Sequence, residues 1–445
     1  MQGGTTLIIG VAVVAYAAIA RRLDSTPVSG PMLFVGLGVL LGDTGSGWLG
    51  LELSAASIRM LVEATLAVVL FSDASRVDLA NLRKHLALPG RLLAVGLPLS
   101  IAFGVLAALG LLHGIPWEGA LLVGIMLAPT DAALGQAVVT DPSVPVYVRQ
   151  GLNVESGLND GIVFPVFEIA VTVALVGLEG VEAGSAVATL AREIAFGALA
   201  GALVGATCGR VLSWSRRHSW TGRHWHGIAT LGITAAAYGL ALGIGGNGFI
   251  AAFAAGLAYR PTVGLPSADD VSHDAAELLT MLAFLVFGAV VLGDHLGSFD
   301  WHMVLYALVS LTVVRMVPVA LALLGSNNRL PTVAFTGWFG PRGIASVLYS
   351  FLLLEAVDEL AVYEPVVAVV TLTITLSVVL HGMTASPLAA VYGRWYASMA
   401  HEHDTMAESA LVFEHRLGRS SGALRQHSDR TPPTTAGRDP GSHEP

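Results

Sequence analysis

Long apolar runs dominate the chain, and polar positions gather in the short stretches between them. Crossing the hydrocarbon core takes about 20 mainly apolar residues. Scanning for such runs predicts about thirteen helices, near residues 4–20, 27–42, 55–73, 89–112, 117–139, 150–177, 189–213, 225–243, 246–260, 274–293, 302–324, 332–354 and 364–391. The expected fold class is an all-α polytopic membrane protein. Composition agrees: 12% of residues are charged and 54% apolar, where a soluble domain is about a quarter charged. The 51 glycines suit helices whose backbones approach closely in lipid. The single Cys208 excludes an intramolecular disulfide and reads as a small packing residue. The net charge of −9 is spread over loops on two sides of a membrane, so it points to no nucleic-acid partner.

Charge placement orients the spans. Arg21 and Arg22 follow the first apolar run instead of leading it, the reverse of a cleavable signal, so that run reads as a retained helix. With the N-terminus outside, alternate loops are cytoplasmic and should carry the basic residues. Arg76, Arg83, Lys84, Arg149, Arg216, Arg217 and Arg329 fall there, whereas Asp43, Glu52, Glu182, Asp294 and Asp358 fall on the other side. Arg59 and Arg192 are the basic exceptions. The expected organisation is a transmembrane domain over residues 1–392. It holds repeat one (about 1–180), a linker helix (about 189–213) and repeat two (about 224–392). A cytoplasmic tail over 393–445 follows, its Pro, Gly, Asp and Thr composition unable to bury a core. One short amphipathic helix near Ala407 to Leu417 fits that tail, which reads as inert rather than regulatory.

Two spans are interrupted in equivalent places. The fifth contains Ala128-Pro129-Thr130-Asp131 and the twelfth contains Gly340-Pro341-Arg342-Gly343. Proline removes a helical donor and glycine weakens the helix, so both spans break near the middle. The fifth span counted from the first corresponds to the twelfth counted from the eighth, as two six-helix inverted repeats require. Paired interrupted helices of this kind mark a transporter's substrate site. Asp131 is expected at the start of its own span's second half-helix, where the dipole end is positive, and Arg342 near the end of its own span's first half-helix, where carbonyls point out.

The sixth span opens Asn153-Val154-Glu155-Ser156-Gly157-Leu158-Asn159-Asp160. Carboxylates, amides and a hydroxyl this dense inside a membrane are costly unless paired or serving an ion. Ser156 and Asp160 share one helix face, as do Glu155 and Asn159. Small hard cations take several oxygen ligands of this kind. A carboxylate holds either a cation or a proton, so Asp131 and Asp160 supply a competition that suffices for antiport.

The stretches "LAPTDAALGQAVV", "VRQGLNVESGLNDGIVFPV" and "GWFGPRGIASVL" resemble the NhaP/NHE branch of monovalent cation:proton antiporters. That resemblance implies a thirteen-helix antiporter fold, a homodimer in the plasma (inner) membrane, and exchange of Na+ (or Li+) for H+. No cofactor is implied beyond the transported ions. It also implies an ion held by Asp160, Asp131, Ser156 and the Thr130 backbone, with Glu155 nearby through water. Asn159 resembles the family's structural partner for neighbouring helices, and Arg342 the arginine that pairs with Glu155. Arg315, the second intramembrane arginine, is the alternative partner. An Asn159-Asp160 pair is associated with electroneutral exchange. Many relatives have Thr-Asp-Pro at the break, whereas here Pro129 precedes Thr130-Asp131. A Thr140-Asp141-Pro142 occurs later, but beside Pro145 it reads as loop chemistry.

Glu63, Asp73 and His381 read as structural hydrogen-bonding groups, and Glu168 as a residue of an outer funnel or of the interface. Potassium/proton exchange on the same scaffold stays open, because ligand type does not set pocket radius. A gated cation channel is the rival from another class, and broken helices with mid-membrane carboxylates argue against it.

Overall fold

The computed structural model describes residues 2–23, 26–42, 55–77, 87–131, 134–179, 183–263, 271–356, 363–399 and 406–409. Among these residues the ordered elements are helical and no strand occurs. The chain runs through α1 (Gln2–Leu23), α2 (Gly30–Leu41) and α3 (Ala55–Arg76). Next come α4 (Ala87–Arg91), a π-turn (Leu92–Gly96) and α5 (Leu97–Leu111), then α6 (Trp117–Met126), α7 (Gln136–Thr140) and α8 (Val146–Glu179). α9 (Ala183–Arg217), α10 (Arg223–Gly243) and α11 (Gly248–Val263) follow. The last third holds α12 (Val271–Val286), a second π-turn (Phe287–Leu292), α13 (Gly293–His295), α14 (Trp301–Leu311) and α15 (Val313–Ala322). It closes with α16 (Leu330–Trp338), α17 (Ile344–Ala356), α18 (Glu364–Ser398) and a 3-10 turn (Ala407–Ser409). Every apolar run has a helix or a pair of helices as its counterpart. Among the described residues, six helical segments are long and apolar enough, by length and composition, to cross a membrane.

Glycine spacing explains the tightest packing. Gly197, Gly201, Gly205 and Gly209 recur every four residues on one face of α9, and that face lies on α11. A Cβ at Gly201 or Gly205 would run into the carbonyl oxygen of Ala251 or Ala255. In lipid the apolar effect does not separate helix from helix, so close backbone approach supplies the contact energy instead. The other face of α9 leaves Leu199, Leu203 and Val211 exposed, as a lipid-facing stripe requires.

The interruptions position the site. The breaks between α6 and α7 and between α16 and α17 fall at the predicted Pro-Thr-Asp and Gly-Pro-Arg-Gly stretches. A third, between α14 and α15, turns at Thr312 (φ −113°, ψ −83°) and carries neither proline nor glycine there. The Thr312 hydroxyl donates to the Leu308 carbonyl (2.6 Å), and Pro318 withholds the N–H that would bond back to Val314.

Arg59, one basic exception in the charge pattern, is neutralised by Glu63 (2.8 Å) and by Glu355. Asp43, Glu52, Arg83, Lys84, Glu182 and Asp358 lie outside the described residues, as does the Ala410–Leu417 part of the expected tail helix. The last helix continues to Ser398, beyond the expected tail boundary.

Candidate ion-binding site

The two predicted breaks meet each other. The Asp131 N–H donates to the Pro341 carbonyl (2.9 Å), joining the two unwound stretches directly. One carboxylate oxygen of Asp131, Oδ2, accepts the N–H of Ile344 (2.9 Å), the first residue of α17. Asp131 therefore caps the N-terminus of the half-helix that follows the second break, where an anion meets unpaired N–H groups and the positive dipole end. Sequence spacing suggested its own span's half-helix; the crossing of the spans puts the partner's end within reach. Arg342 answers in kind. Its Nη1 donates to the Ala128 carbonyl (3.0 Å), at the carbonyl end of α6, and its own N–H donates to Ser377 Oγ (2.6 Å).

Both glycines of the second break make room for side chains. A Cβ at Gly343 would overlap the Asp131 carboxylate, and one at Gly340 would overlap the Arg315 guanidinium. Gly343→Ala is accordingly expected to displace Asp131 from α17, so that the Ile344 amide, which Asp131 holds, exchanges with solvent several-fold faster. Hydrogen exchange checks this, and an unchanged rate would show that the carboxylate accommodates the methyl group.

α8 brings the oxygen cluster to the same place. The Ser156 hydroxyl donates to the Thr130 carbonyl (2.8 Å), and Asn159 Nδ2 donates to Thr130 Oγ1 (2.7 Å). Thr130, Asp131, Glu155, Ser156, Asn159 and Asp160 are all buried. Tyr349 of α17 donates to the Asp160 backbone carbonyl (3.0 Å). Asp160 Oδ1 and Asn159 Oδ1 are buried acceptors with no donor among the described residues.

The structure corrects one pairing. Glu155 is held by Arg315, through Nη1 to Oε1 (2.6 Å) and Nη2 to Oε2 (2.9 Å), and not by Arg342. Both residues are 2% exposed. The turn at Thr312 aims Arg315 across the space that Gly340 leaves open, while the carbonyl end of α6 engages Arg342.

Asp73, which the sequence suggested only as a structural group, lies against this site. Its Cβ and carbonyl oxygen are 3.5 and 3.6 Å from where a Cβ on Gly157 would stand, one turn before Asp160. With Arg76, Asn153 and Val154 it lines a small cavity on α3 and α8. A third carboxylate beside Asp160 had no signal in its own apolar run; only the Gly157 gap on α8 hints at a close neighbour. A second small cavity beside Thr130 and Asp131 is walled by Val138, Val139, Leu152 and Phe339. Asp141 takes no part: its Oδ1 accepts the Ser143 N–H (2.8 Å) in a local turn. His381 reads as structural: its Nε2 lies 3.0 Å from the Trp338 carbonyl at the end of α16 and its Nδ1 3.0 Å from the Ser377 carbonyl, and the tautomer decides which of the two accepts its N–H. Among the described residues no cluster of histidine, cysteine or carboxylate has metal-site geometry.

An all-helical polytopic membrane protein with two crossed, interrupted helices and a buried carboxylate cluster at their crossing has the architecture of a secondary transporter. The pattern of the transmembrane sodium/hydrogen exchanger family matches residues 9–391, and the chain belongs to that family. It is 23% identical over 349 residues to a Na+/H+ antiporter of Schizosaccharomyces pombe, covering 71% of this chain and 74% of the relative. It is 27% identical over 327 residues to the K+/H+ antiporter NhaP2 of Shewanella oneidensis, covering 71% and 55%. Across four antiporters of this similarity the chain spans 31–74% of the relative's own length. The fold is shared with the sodium proton antiporter MjNhaP1 of Methanocaldococcus jannaschii, with TM-score 0.69, 18% identity, and coverage of 86% of this chain and 100% of that one.

Proposed function

We propose that the protein is a secondary active antiporter that exchanges Na+ (or Li+) for H+ by alternating access, one cation against one proton. The observation that carries this reading is the pair of buried acceptors without donors among the described residues, Asp160 Oδ1 and Asn159 Oδ1, beside a Thr130 and a Ser156 that are hydrogen-bonded. An ionised carboxylate oxygen left bare in a membrane interior is strongly unfavourable, and either a proton or a small cation removes that cost. The Thr130 carbonyl, Ser156 Oγ and Asp131 add oxygens of the type a hard cation takes. Asp160 and Asp131 thus hold the cation or the proton in turn. Glu155 stays paired with Arg315 and supports the site without binding the cargo. Asp73 extends the carboxylate path to the cavity on α3 and α8. In this reading the protein is a homodimer in the plasma (inner) membrane, with two inverted repeats, its N-terminus outside and its C-terminus cytoplasmic. Its partners are the cation, the proton and the bilayer.

K+/H+ exchange is the second reading, and the similarity to a K+/H+ antiporter of Shewanella oneidensis favours it. Proton flux in proteoliposomes, with Na+, Li+ and K+ offered in turn at clamped membrane potential, separates the two. The expected result is flux driven by Na+ and Li+, with the apparent KM for the cation rising as pH falls, because protons compete for the same oxygens. Flux driven by K+ alone would replace sodium as cargo, and flux indifferent to every monovalent cation would end the antiport reading. A rate that follows membrane potential would end one-for-one exchange.

A further inference from the structure

The tail contributes a buried carboxylate at the start of α16. Glu408, in the 3-10 turn Ala407–Ser409, is 2% exposed. Its Oε1 accepts the backbone N–H of Arg329 (2.8 Å) and the hydroxyl of Thr332 (2.6 Å). Arg329 is the N-cap position of α16, and its own side chain makes no capping bond. The cap of α16 is therefore supplied from 79 residues further along the chain. A carboxylate there satisfies an orphan donor and meets the positive end of the helix dipole.

The turn is fastened on several sides. Tyr392 of α18 shares a hydrogen bond with Thr332 Oγ1 (2.9 Å), and its ring stacks on Phe335 of α16 with centroids 4.2 Å apart. Tyr396 bonds Ser409 (3.1 Å), Met406 is buried, and the turn also packs on α8. α16 is nine residues long, a rigid rod of about 14 Å at 1.5 Å per residue. Glu408 holds one end of that rod. At the other end lie the Trp338 carbonyl bound by His381, then Pro341 and Arg342, which meet Asp131 and Ala128.

We propose that Glu408 is a positioning residue of the ion site: by capping α16 it keeps the Pro341–Arg342 break seated against Asp131. The segment read from composition as inert is then a built-in part of the transport core. The amide measurements below stand on the contact alone; the transport arm rests on the antiport reading.

The test uses the full chain carrying Glu408→Ala, Glu408→Gln or Thr332→Val, with hydrogen exchange read at two places. The Arg329 amide reports the cap, and the Ile344 amide, held by Asp131, reports the site. In Glu408→Ala both amides are expected to exchange at least tenfold faster, and the cation KM in proteoliposomes to rise about threefold or more. Glu408→Gln keeps a carbonyl acceptor for both donors and is expected to restore protection and KM. Thr332→Val removes one donor and is expected to fall between. Unchanged Arg329 protection in Glu408→Ala would overturn the contact. Lost Arg329 protection with an unmoved Ile344 amide and KM would reduce Glu408 to a simple helix cap and overturn the proposal. A wild-type protein without cation-driven flux would instead defeat the antiport reading, and the Ile344 amide would still decide the coupling.

Discussion

Asp160→Ala and Asp160→Asn are expected to reduce cation-driven proton flux to the level of empty vesicles while the protein keeps its thermal midpoint. The two halves of that outcome come from different atoms. In the proposed reading function rests on the carboxylate, whose Oδ1 is buried and has no donor among the described residues. The fold rests on the backbone carbonyl, which Tyr349 holds and which neither substitution removes. No protein donor to Oδ1 is orphaned when the carboxylate goes, so the usual penalty for stripping a buried hydrogen bond does not apply. Asp131 behaves differently because its carboxylate does two jobs. Asp131→Asn keeps an oxygen for the Ile344 N–H and should fold normally with impaired exchange. Asp131→Ala removes the cap as well, at about 0.5–2 kcal/mol. Scanning fluorimetry beside proteoliposome flux reads both. Full exchange in Asp160→Asn would remove Asp160 from the site, and a collapse of stability in that variant would show the carboxylate to be structural.

How far the site was legible from sequence follows from what breaks a helix. Pro129, Pro341, Gly340 and Gly343 announce their interruptions, because a missing N–H and a missing Cβ are visible in the residue type itself. The oxygens of Ser156, Asn159 and Asp160 were legible for a similar reason: polar atoms in an apolar run demand partners. What spacing within one span does not encode is the crossing partner. Asp131 caps a helix 213 residues away, and Arg342 reaches a carbonyl 214 residues away. Helix-dipole reasoning identified the kind of end each charge wants and assigned it to the wrong span. The turn at Thr312 was invisible because no proline or glycine stands there, and with it went the choice between Arg342 and Arg315 as the partner of Glu155. Asp73 and Glu408 were hidden differently. One sits at the end of an apolar run and the other in a polar tail, and only tertiary packing turns either toward the core.

The Glu155–Arg315 pair is where the largest loss of stability is expected. Each side chain is 2% exposed, and the two are joined by the Nη1 and Nη2 nitrogens of the guanidinium and both carboxylate oxygens. Such a pair is not an efficient source of stability, since desolvating two charges offsets most of their attraction. Removing one partner, however, strands the other charge in the core and costs about 3–5 kcal/mol. Arg315→Ala is therefore expected to yield little folded protein in detergent, judged by fluorescence-detected size exclusion. Glu155→Gln is milder, because a carbonyl oxygen still accepts from the guanidinium. The double variant Glu155→Gln/Arg315→Met, which leaves no charge behind, is expected to recover most of the folded fraction. Arg342 supplies the control, being equally buried but bonded through Nη1 to the carbonyl of Ala128. Alanine cycles should therefore show coupling of about 0.5–3 kcal/mol between Glu155 and Arg315, and near-additive effects between Glu155 and Arg342. The reverse pattern would restore Arg342 as the partner of Glu155. It would also mean that the turn at Thr312 serves packing alone.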